Sequence, residues 1–395
     1  MINFRSTSRG GRVLTALTAA VALGSLAACG GGGGDGGAAA PAPPENVIAE
    51  GTAPDYYPAE YSQIIEGSKA EGGTLTIYSN TDQENWAPIF RDFQKKYPWV
   101  TNIEANNLDS DEVFQRALSE QATGSSPADI LVSNAAQAWA EYAQDPSRLA
   151  TYSSPELSKL PELATLMPNV YAMSVDPMTI GYNTALLPEA PTGMASLAKM
   201  VEQDPNAFKD KITTRDINGA FGFTVSQAFA QARPDAWANL EKLLPLARPE
   251  TSSGTQTEKI VAGEYTVGFF VSAAPAYPVV DNSSGLFQVT FLDDGTVVLP
   301  RGIGIAPQAP HANTAKLFTD FVLSAEGQRA VAEGGLTSYR DDVAAAPGLH
   351  TYQEVVDKVG EQNVIPVKYE LVPEDQVKAF TDRWDGLLGT KPAAG

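Results

Sequence analysis

Short β-branched runs alternate with amphipathic stretches in the first part of this chain. Residues 74–78 (TLTIY) predict a strand, and the apolar residues of 86–97 recur at helical spacing before Pro98. The order then repeats, because residues 101–105 predict a second strand and 129–133 (DILVS) form a nearly continuous apolar run. Such a run is expected of a strand buried on both faces of a parallel sheet. Strands that alternate with helices form βαβ units, so the sequence predicts an α/β fold with helices on both faces of a sheet.

Polar residues follow these strands directly. Ligands of open α/β sheets bind beyond the carboxyl ends of the strands, which places several polar side chains on one rim. These side chains belong to Ser79, Asn80, Thr81, Ser133 and Asn134. A hydroxyl, an amide and a helix start together suit an oxyanion or a hydrogen-bonding solute. Helix capping is the alternative role, since residues 81–84 (TDQE) match the S/T-x-x-E capping box.

The second half of the chain is less regular but offers a similar choice. A polar turn precedes a second capping-box pattern at residues 255–258, and a predicted strand over residues 265–272 ends in small residues. We predict ligand contact here from Ser253, Gly254, Thr255 and Ser272, with helix capping again the alternative. Tyr182 and Tyr277 are candidate walls of the binding site or, alternatively, core residues.

Arg301 interrupts an otherwise apolar extended segment, residues 297–305. A cation in such a segment must be solvated or paired. Arg301 therefore predicts a contact with a carboxylate or phosphonate of the ligand, or else a salt bridge with an aspartate of the protein.

The first 28 residues have the layout of a secretory signal. Three arginines precede an apolar run that contains no acidic residue and is too short for a spanning helix. Leu26-Ala27-Ala28-Cys29 follows and resembles the bacterial lipobox, in which the cysteine carries the lipid. Cys29 is the only cysteine, which excludes an intramolecular disulfide and leaves a buried free thiol as the alternative. We predict a signal peptide over residues 1–28 and a flexible Gly/Ala/Pro tether over residues 29–50.

Five landmarks in a fixed order carry a family resemblance. They are GTLTIYS at 73–79, ADILVS at 128–133, GYN at 181–183, GEYTVG at 263–268 and PHANTAKLFTDFVLSAEGQ at 310–328. Together they resemble the class II periplasmic binding proteins, in the branch that includes ferric-ion-binding proteins and relatives for phosphonates, thiamine and other small solutes. The resemblance spans about residues 58–342.

This resemblance implies a two-lobed class II fold. Each lobe would be a mixed, mostly parallel sheet flanked by helices, and two crossover strands near residues 177–183 and 297–303 would act as a hinge around the ligand. The implied division is lobe 1 over residues 51–178 and 302–345, lobe 2 over residues 179–301, and C-terminal helices over residues 346–395 that pack across the lobes.

Iron is a specific alternative within this branch. Ferric-ion-binding relatives usually place two adjacent tyrosines a few residues after a Gly-x-x-x-x-Gly pattern, which here covers residues 263–268. This chain has Ser272, Ala273 and Ala274 at that position. His311 opens a helix and His350 belongs to a late loop, so neither is well placed as a ligand. We therefore predict no metal site and no cofactor, and favour an anionic organic solute over ferric ion.

Composition and motifs restrict the remaining classes. The chain has 27 Lys and Arg against 47 Asp and Glu, a formal net charge of −20, which argues against nucleic acid and anionic lipid surfaces as partners. The sequence contains no Gly-x-Ser-x-Gly elbow, His-Glu-x-x-His or P-loop motif, so a hydrolase is disfavoured, and an adhesin that binds another protein is a third class. We predict a non-enzymatic, extracytoplasmic solute-binding protein, anchored to the membrane through the Cys29 lipid, whose partners are the permease and ATPase subunits of an ABC importer.

Overall fold

The computed structural model describes residues 50–343, 346 and 348–388. The predicted signal peptide, Cys29 and residues 29–49 of the predicted tether lie outside the described residues. The helices are α1 (Tyr61–Ala70), α2 (Gln83–Lys96), α3 (Glu112–Ala122), α4 (Ala136–Tyr142), α5 (Met194–Gln203), α6 (Pro205–Phe208), α7 (Ala220–Ala232), α8 (Ala236–Leu243), α9 (Ser253–Val261), α10 (Ala273–Asn282), α11 (Ala312–Leu323), α12 (Ala325–Glu333), α13 (Tyr352–Val359) and α14 (Glu374–Leu387). The strands are β1 (Thr74–Ser79), β2 (Asn102–Asn107), β3 (Ile130–Ser133), β4 (Thr165–Met167), β5 (Val170–Asn183), β6 (Ile212–Arg215), β7 (Ala247–Glu250), β8 (Val267–Ser272), β9 (Phe287–Phe291), β10 (Thr296–Ile305), β11 (Thr337–Ser338), β12 (His350–Thr351) and β13 (Val364–Pro366).

The strands join in one mixed sheet with the order β2-β1-β3-β10-β5-β8-β6-β7. β1 pairs in parallel with β2 and β3, and β6 pairs in parallel with β7 and β8. β10 and β5 run antiparallel to each other, and they separate the two parallel groups. The predicted mixed, mostly parallel α/β architecture is confirmed. Within each parallel group, helices connect one strand to the next, which allows successive strands to run in the same direction.

Two long strands connect these parallel groups. β5 pairs with β10 up to Pro177 and, from Met178 onward, with β8 and β9. β10 pairs with β13 at its start and with β3 at its end. These strands include the segments predicted as crossovers, residues 177–183 and 297–303. The lobe boundaries drawn from the resemblance stay a prediction.

Two buried hydrophobic clusters pack around the sheet. The first contains Trp86 and Phe93 of α2 together with Phe318 of α11. The second contains Trp139 of α4 and Trp384 of α14. These side chains are almost completely buried, and burying an aromatic side chain of this size stabilises the fold by roughly 2–3 kcal/mol. Helix α2 therefore has its apolar stripe on the core side, as the helical spacing of residues 86–97 predicts.

Both predicted capping boxes are wrong in register. α2 begins at Gln83 after Asp82, and Ser79 Oγ accepts a hydrogen bond from Thr81 N at 2.9 Å. α9 begins at Ser253 with Ser252 as its cap. In both places a serine two or three residues upstream accepts the hydrogen bond from the backbone N–H of the threonine, which is the N–H that the glutamate of a capping box would bond.

The C-terminal strap, residues 350–387, contacts both parts of the sheet. β13 pairs in parallel with β10, and α13 packs its apolar face on Phe291 of β9. In α14, the ring centroid of Phe380 lies 5.5 Å from that of Phe223 and 5.5 Å from that of Trp237. Across the described residues, none of the helices is both long enough and apolar enough to span a membrane.

Candidate ligand-binding cleft

A cavity of about 460 Å³ lies where the ends of β1, β3, β6 and β8 meet, and we call it the cleft. Six of the residues predicted as site residues line the cleft: Asn80, Asn134, Ser253, Gly254, Ser272 and Arg301. Two larger cavities, of about 570 and 600 Å³, lie along α7 and the C-terminal strap. The cleft is the better candidate, because it combines strand ends, a helix start and two buried arginines in one place.

Three further predicted site residues lie next to the cleft, and the two serines among them form hydrogen bonds with the neighbouring backbone. Ser79 is fully buried and bonds to the N–H of Thr81, whose own hydroxyl is buried without a partner. Ser133 Oγ donates a hydrogen bond to Ser110 O at 2.8 Å and accepts one from Ala135 N at 3.1 Å. These serines shape the strand ends, and they leave the adjacent Asn80 and Asn134 to face the cleft.

Two further predicted residues lie outside the cleft lining. Thr255 belongs to the first turn of α9, where its N–H donates a hydrogen bond to Ser252 Oγ at 2.9 Å. Tyr182 lies in β5 opposite Val267 and Gln288, and its half-buried ring packs on the hydrophobic core. Capping explains Thr255, and core packing explains Tyr182.

Arg301 connects the two polar strand ends of the cleft. Its guanidinium Nη1 donates a hydrogen bond to Asn80 Oδ1 at 2.5 Å, and Asn80 Nδ2 donates one to Asn134 Oδ1 at 2.7 Å. Arg301 is 8% exposed, and burial lowers its pKa, while the negative charge of Asp176 acts in the opposite direction. At neutral pH this side chain is a buried cation that holds the first wall of the cleft in place.

Asp176 lies between the two sides of the cleft. Ser272 Oγ donates a hydrogen bond to Asp176 Oδ2 at 2.5 Å, and Ala274 N donates one to Asp176 Oδ1 at 3.4 Å. Burial raises the pKa of Asp176, whereas the Ser272 hydrogen bond and the charge of Arg301 lower it. Asp176 is a residue of the long strand β5, and its negative charge favours the charged form of Arg301.

The sequence prediction missed Arg215, which ends β6 and lines the cleft. Its guanidinium lies 4.7 Å from the ring centroid of Phe221, and the side chain is 8% exposed. Arg215 Nε and Nη1 are buried without a hydrogen-bond partner. Burial lowers the pKa of Arg215 to about 10, although Asp216 and Asp176 act in the opposite direction. Residues 212–215 (ITTR) have the β-branched run followed by a polar residue that marks the other strand ends, and this pattern could have revealed Arg215.

The start of α9 faces the same side of the cleft as Arg215. Ser253 Oγ accepts a hydrogen bond from Ser272 N at 3.0 Å, which joins this helix start to the end of β8. A Cβ added to Gly254 would meet only Ser252 Oγ, at 3.7 Å, so the backbone is open there. The first N–H groups of a helix carry partial positive charge, and a buried arginine beside them makes this side of the cleft electropositive.

Tyr277, the tyrosine nearest to the position of the iron-binding pair, is not among the residues that line the cleft. Its ring stacks on His350 with centroids 3.3 Å apart, and burial strongly raises the pKa of its phenol. His350 Nδ1 in turn lies 3.3 Å from Glu354 Oε2. Within residues 50–343 and 348–388, no group of three or more His, Cys, Asp or Glu side chains is arranged to hold a metal ion.

Residues 89–356 match the family of bacterial extracellular solute-binding proteins, and the chain belongs to this family. The family confirms the predicted class of protein, one that binds solutes. No curated protein sequence matches the chain.

Solved structures show the same fold. The substrate-binding protein of an ABC transporter from Agrobacterium tumefaciens is 20% identical, with a TM-score of 0.69 over 81% of this chain and 96% of that one. AfuA from Actinobacillus pleuropneumoniae, a periplasmic binding protein with fructose-6-phosphate bound, is 20% identical, with a TM-score of 0.61 over 80% and 98%. Iron-bound HitA from Pseudomonas aeruginosa is 18% identical, with a TM-score of 0.60 over 80% and 99%. These similarities confirm the fold that the resemblance implies.

Proposed function

We propose that this protein is a lipid-anchored, extracytoplasmic carrier that captures a small organic anion in the cleft and delivers it to the permease and ATPase subunits of an ABC importer. The family supports the carrier role, and the Agrobacterium structure is itself described as part of an ABC transporter. The lipid anchor rests on Cys29 and the lipobox-like residues before it.

The anionic ligand rests on one observation, the unpartnered guanidinium of Arg215. A buried donor without a partner is destabilising, and a buried cation without one is more so. The structure nevertheless places Arg215 in a cleft beside the first turn of α9. A carboxylate or phosphate of the ligand would accept from Arg215 and from the open backbone at Gly254.

The opposite wall of the cleft favours hydroxyl groups on the rest of the ligand. Asn80 and Asn134 supply amide groups, and Asp82 and Glu84 supply carboxylates that accept hydrogen bonds. These carboxylates would repel a second anionic group. We therefore propose a solute with one anionic end and a neutral, hydroxyl-bearing body, and fructose-6-phosphate in AfuA is an example of such chemistry in a similar fold.

Capture would involve closure about the two long strands. The pairing partners of β5 change between Pro177 and Met178, so a rotation there alters few hydrogen bonds within either group of parallel strands. A ligand that touches Arg215 on one side and Asn80 on the other stabilises only the closed arrangement.

The test is a thermal-shift screen of pairs that differ in the anion alone, such as fructose 6-phosphate with fructose and glycerol 3-phosphate with glycerol. Ferric citrate, phosphonates, carboxylates and thiamine complete the panel. An anion present at 100 times its Kd should stabilise the protein by about 2.7 kcal/mol, while its neutral partner has little effect. Small-angle scattering should show compaction with the same anion. Stabilisation by ferric citrate alone, with a visible phenolate-to-iron absorption band, would contradict the proposal.

A further inference from the structure

A tyrosine hydroxyl of the C-terminal strap fills a gap along the edge of β10. β10 pairs with β13 up to Val298 and with β3 from Gly302 onward. Between these two ladders, Tyr369 Oη donates a hydrogen bond to Pro300 O at 2.7 Å and accepts one from Gly302 N at 3.1 Å. One side chain therefore holds the two residues on either side of Arg301.

The opposite edge of β10 is irregular at the same place. Arg301 faces Ser174 of β5, but Gly302 faces Ala172, so the register shifts between them. The extra residue is Met173 of β5, and an irregularity of this kind disrupts the ladder locally. A Cβ at Gly302 would lie 2.7 Å from Trp139 Nε1, which shows how closely the backbone is packed there. Where the β5 ladder is interrupted, the two hydrogen bonds of Tyr369 hold the backbone of β10 from its other edge.

Arg301 extends this arrangement into the cleft. It bonds to Asn80, and Asn80 bonds to Asn134. Tyr369 Oη also lies 3.5 Å from Ser133 O, the residue directly before Asn134. Arg301 and Asn134, the two ends of this hydrogen-bonded chain, are thus each adjacent in sequence to a residue whose backbone contacts the Tyr369 hydroxyl. Tyr369 is 7% exposed, and burial raises its pKa, so the phenol stays neutral and both donates and accepts.

We propose that Tyr369 is a positioning residue for solute recognition: it fixes the segment of β10 from which Arg301 enters the cleft, although it is not among the residues that line the cleft. Its effect on affinity rests on the proposed function, whereas its effect on Arg301 does not. The strap thereby gives the C-terminal part of the chain a role in binding, because α13 and α14 anchor the segment that carries Tyr369.

The experiment uses Tyr369→Phe, which removes one hydroxyl, and Tyr171→Phe as the matched control. Tyr171 is also buried, and its hydroxyl donates to Tyr152 O at 2.8 Å, away from the cleft. The first readout is the Nε–H signal of Arg301 in a nitrogen-15 spectrum of the unliganded chain, assigned by its loss in Arg301→Lys. Tyr369→Phe should shift or broaden this signal, and Tyr171→Phe should leave it unchanged.

The second readout is the Kd for fructose 6-phosphate, with inorganic phosphate as a second probe. Tyr369→Phe should raise the Kd by about threefold to tenfold, which corresponds to the loss of one hydrogen bond. In the Arg301→Lys background the same change should have less than about a twofold effect, because Tyr369 acts through Arg301.

The two readouts separate the two proposals. An Arg301 signal that is unchanged in Tyr369→Phe overturns the positioning role, whatever the chain binds. Equal losses of affinity in Tyr369→Phe and Tyr171→Phe also overturn it, since they indicate a general loss of stability. If neither probe nor any other anion of the panel binds the wild-type chain, the proposed function fails, and the spectrum still decides the role of Tyr369.

Discussion

Replacing Arg215 with methionine is expected to stabilise the unliganded protein and to abolish most of its affinity for an anionic solute. The change removes the charge and keeps a side chain of similar length over Phe221. Burial lowers the pKa of Arg215 to about 10, and this shift corresponds to roughly 3 kcal/mol of disfavoured charge. The contact with the Phe221 ring offsets about 1–2 kcal/mol of this. The unliganded Arg215→Met protein should therefore gain roughly 1–2 kcal/mol, or about 2 °C or more in Tm.

The lowered pKa of Arg215 also determines how the stability of the protein changes with pH. From about pH 10 up to the ordinary pKa of arginine, the unfolded chain keeps a proton on Arg215 that the folded chain has lost, so stability rises with pH in this window. Below pH 10 both states are protonated, and the full cost of the buried cation is present. The gain in Arg215→Met should therefore be constant across neutral pH.

Binding should change in the opposite direction. A charge-assisted hydrogen bond contributes about 1.5–3 kcal/mol, so Arg215→Met should weaken fructose 6-phosphate, or the best anion of the screen, by about tenfold to a hundredfold. Arg383→Met is the control, because Arg383 also stacks on an aromatic ring, Trp237 at 4.0 Å, but is half-exposed and paired with Glu241. Titration calorimetry and thermal unfolding measure the two effects. An Arg215→Met protein that binds as tightly as the wild type would refute the reasoning.

Three further predictions concern the rest of the chain. Cys29→Ala should release the protein from the membrane fraction, and a lipid-labelled Cys29→Ala protein would contradict the anchor. Burial raises the pKa of Asp320 to about 7, so stability should fall by roughly 2–4 kcal/mol as pH rises from 4 to 7, and Asp320→Asn should flatten this slope in urea titrations. Glu156→Leu should destabilise the fold by about 2–4 kcal/mol, because Arg340 loses its buried partner at 2.8 Å and keeps the more exposed Asp342. Arg91→Met should change stability by less than about 1 kcal/mol.

The family and the α/β architecture could be predicted from the sequence because their signals are local. Strand β1 (Thr74–Ser79) agrees closely with the strand predicted over residues 74–78. Helix α13 (Tyr352–Val359) lies in the region predicted to form C-terminal helices. Hydrophobic periodicity reports which face of an element is buried, and neighbouring residues alone encode it. The two capping boxes failed because a neighbouring serine, Ser79 or Ser252, competes for the same backbone N–H, and the threonine–glutamate spacing alone does not show which bond forms.

Local patterns were enough to predict the strand ends that face the cleft, since Asn80, Asn134 and Ser272 each follow or end a recognisable β-branched or apolar run. The electrostatics of the cleft, in contrast, arise from long-range contacts. Whether a buried arginine is paired depends on groups far away in the chain: Arg301 meets Asn80 across 221 positions, while Arg215 finds no partner for two of its donors. Tyr369 reaches Gly302 across 67 positions, and no local pattern encodes that contact. Periodicity predicts which residues are buried, but the charge and hydrogen bonds of a site arise from contacts that form only when the whole chain has folded.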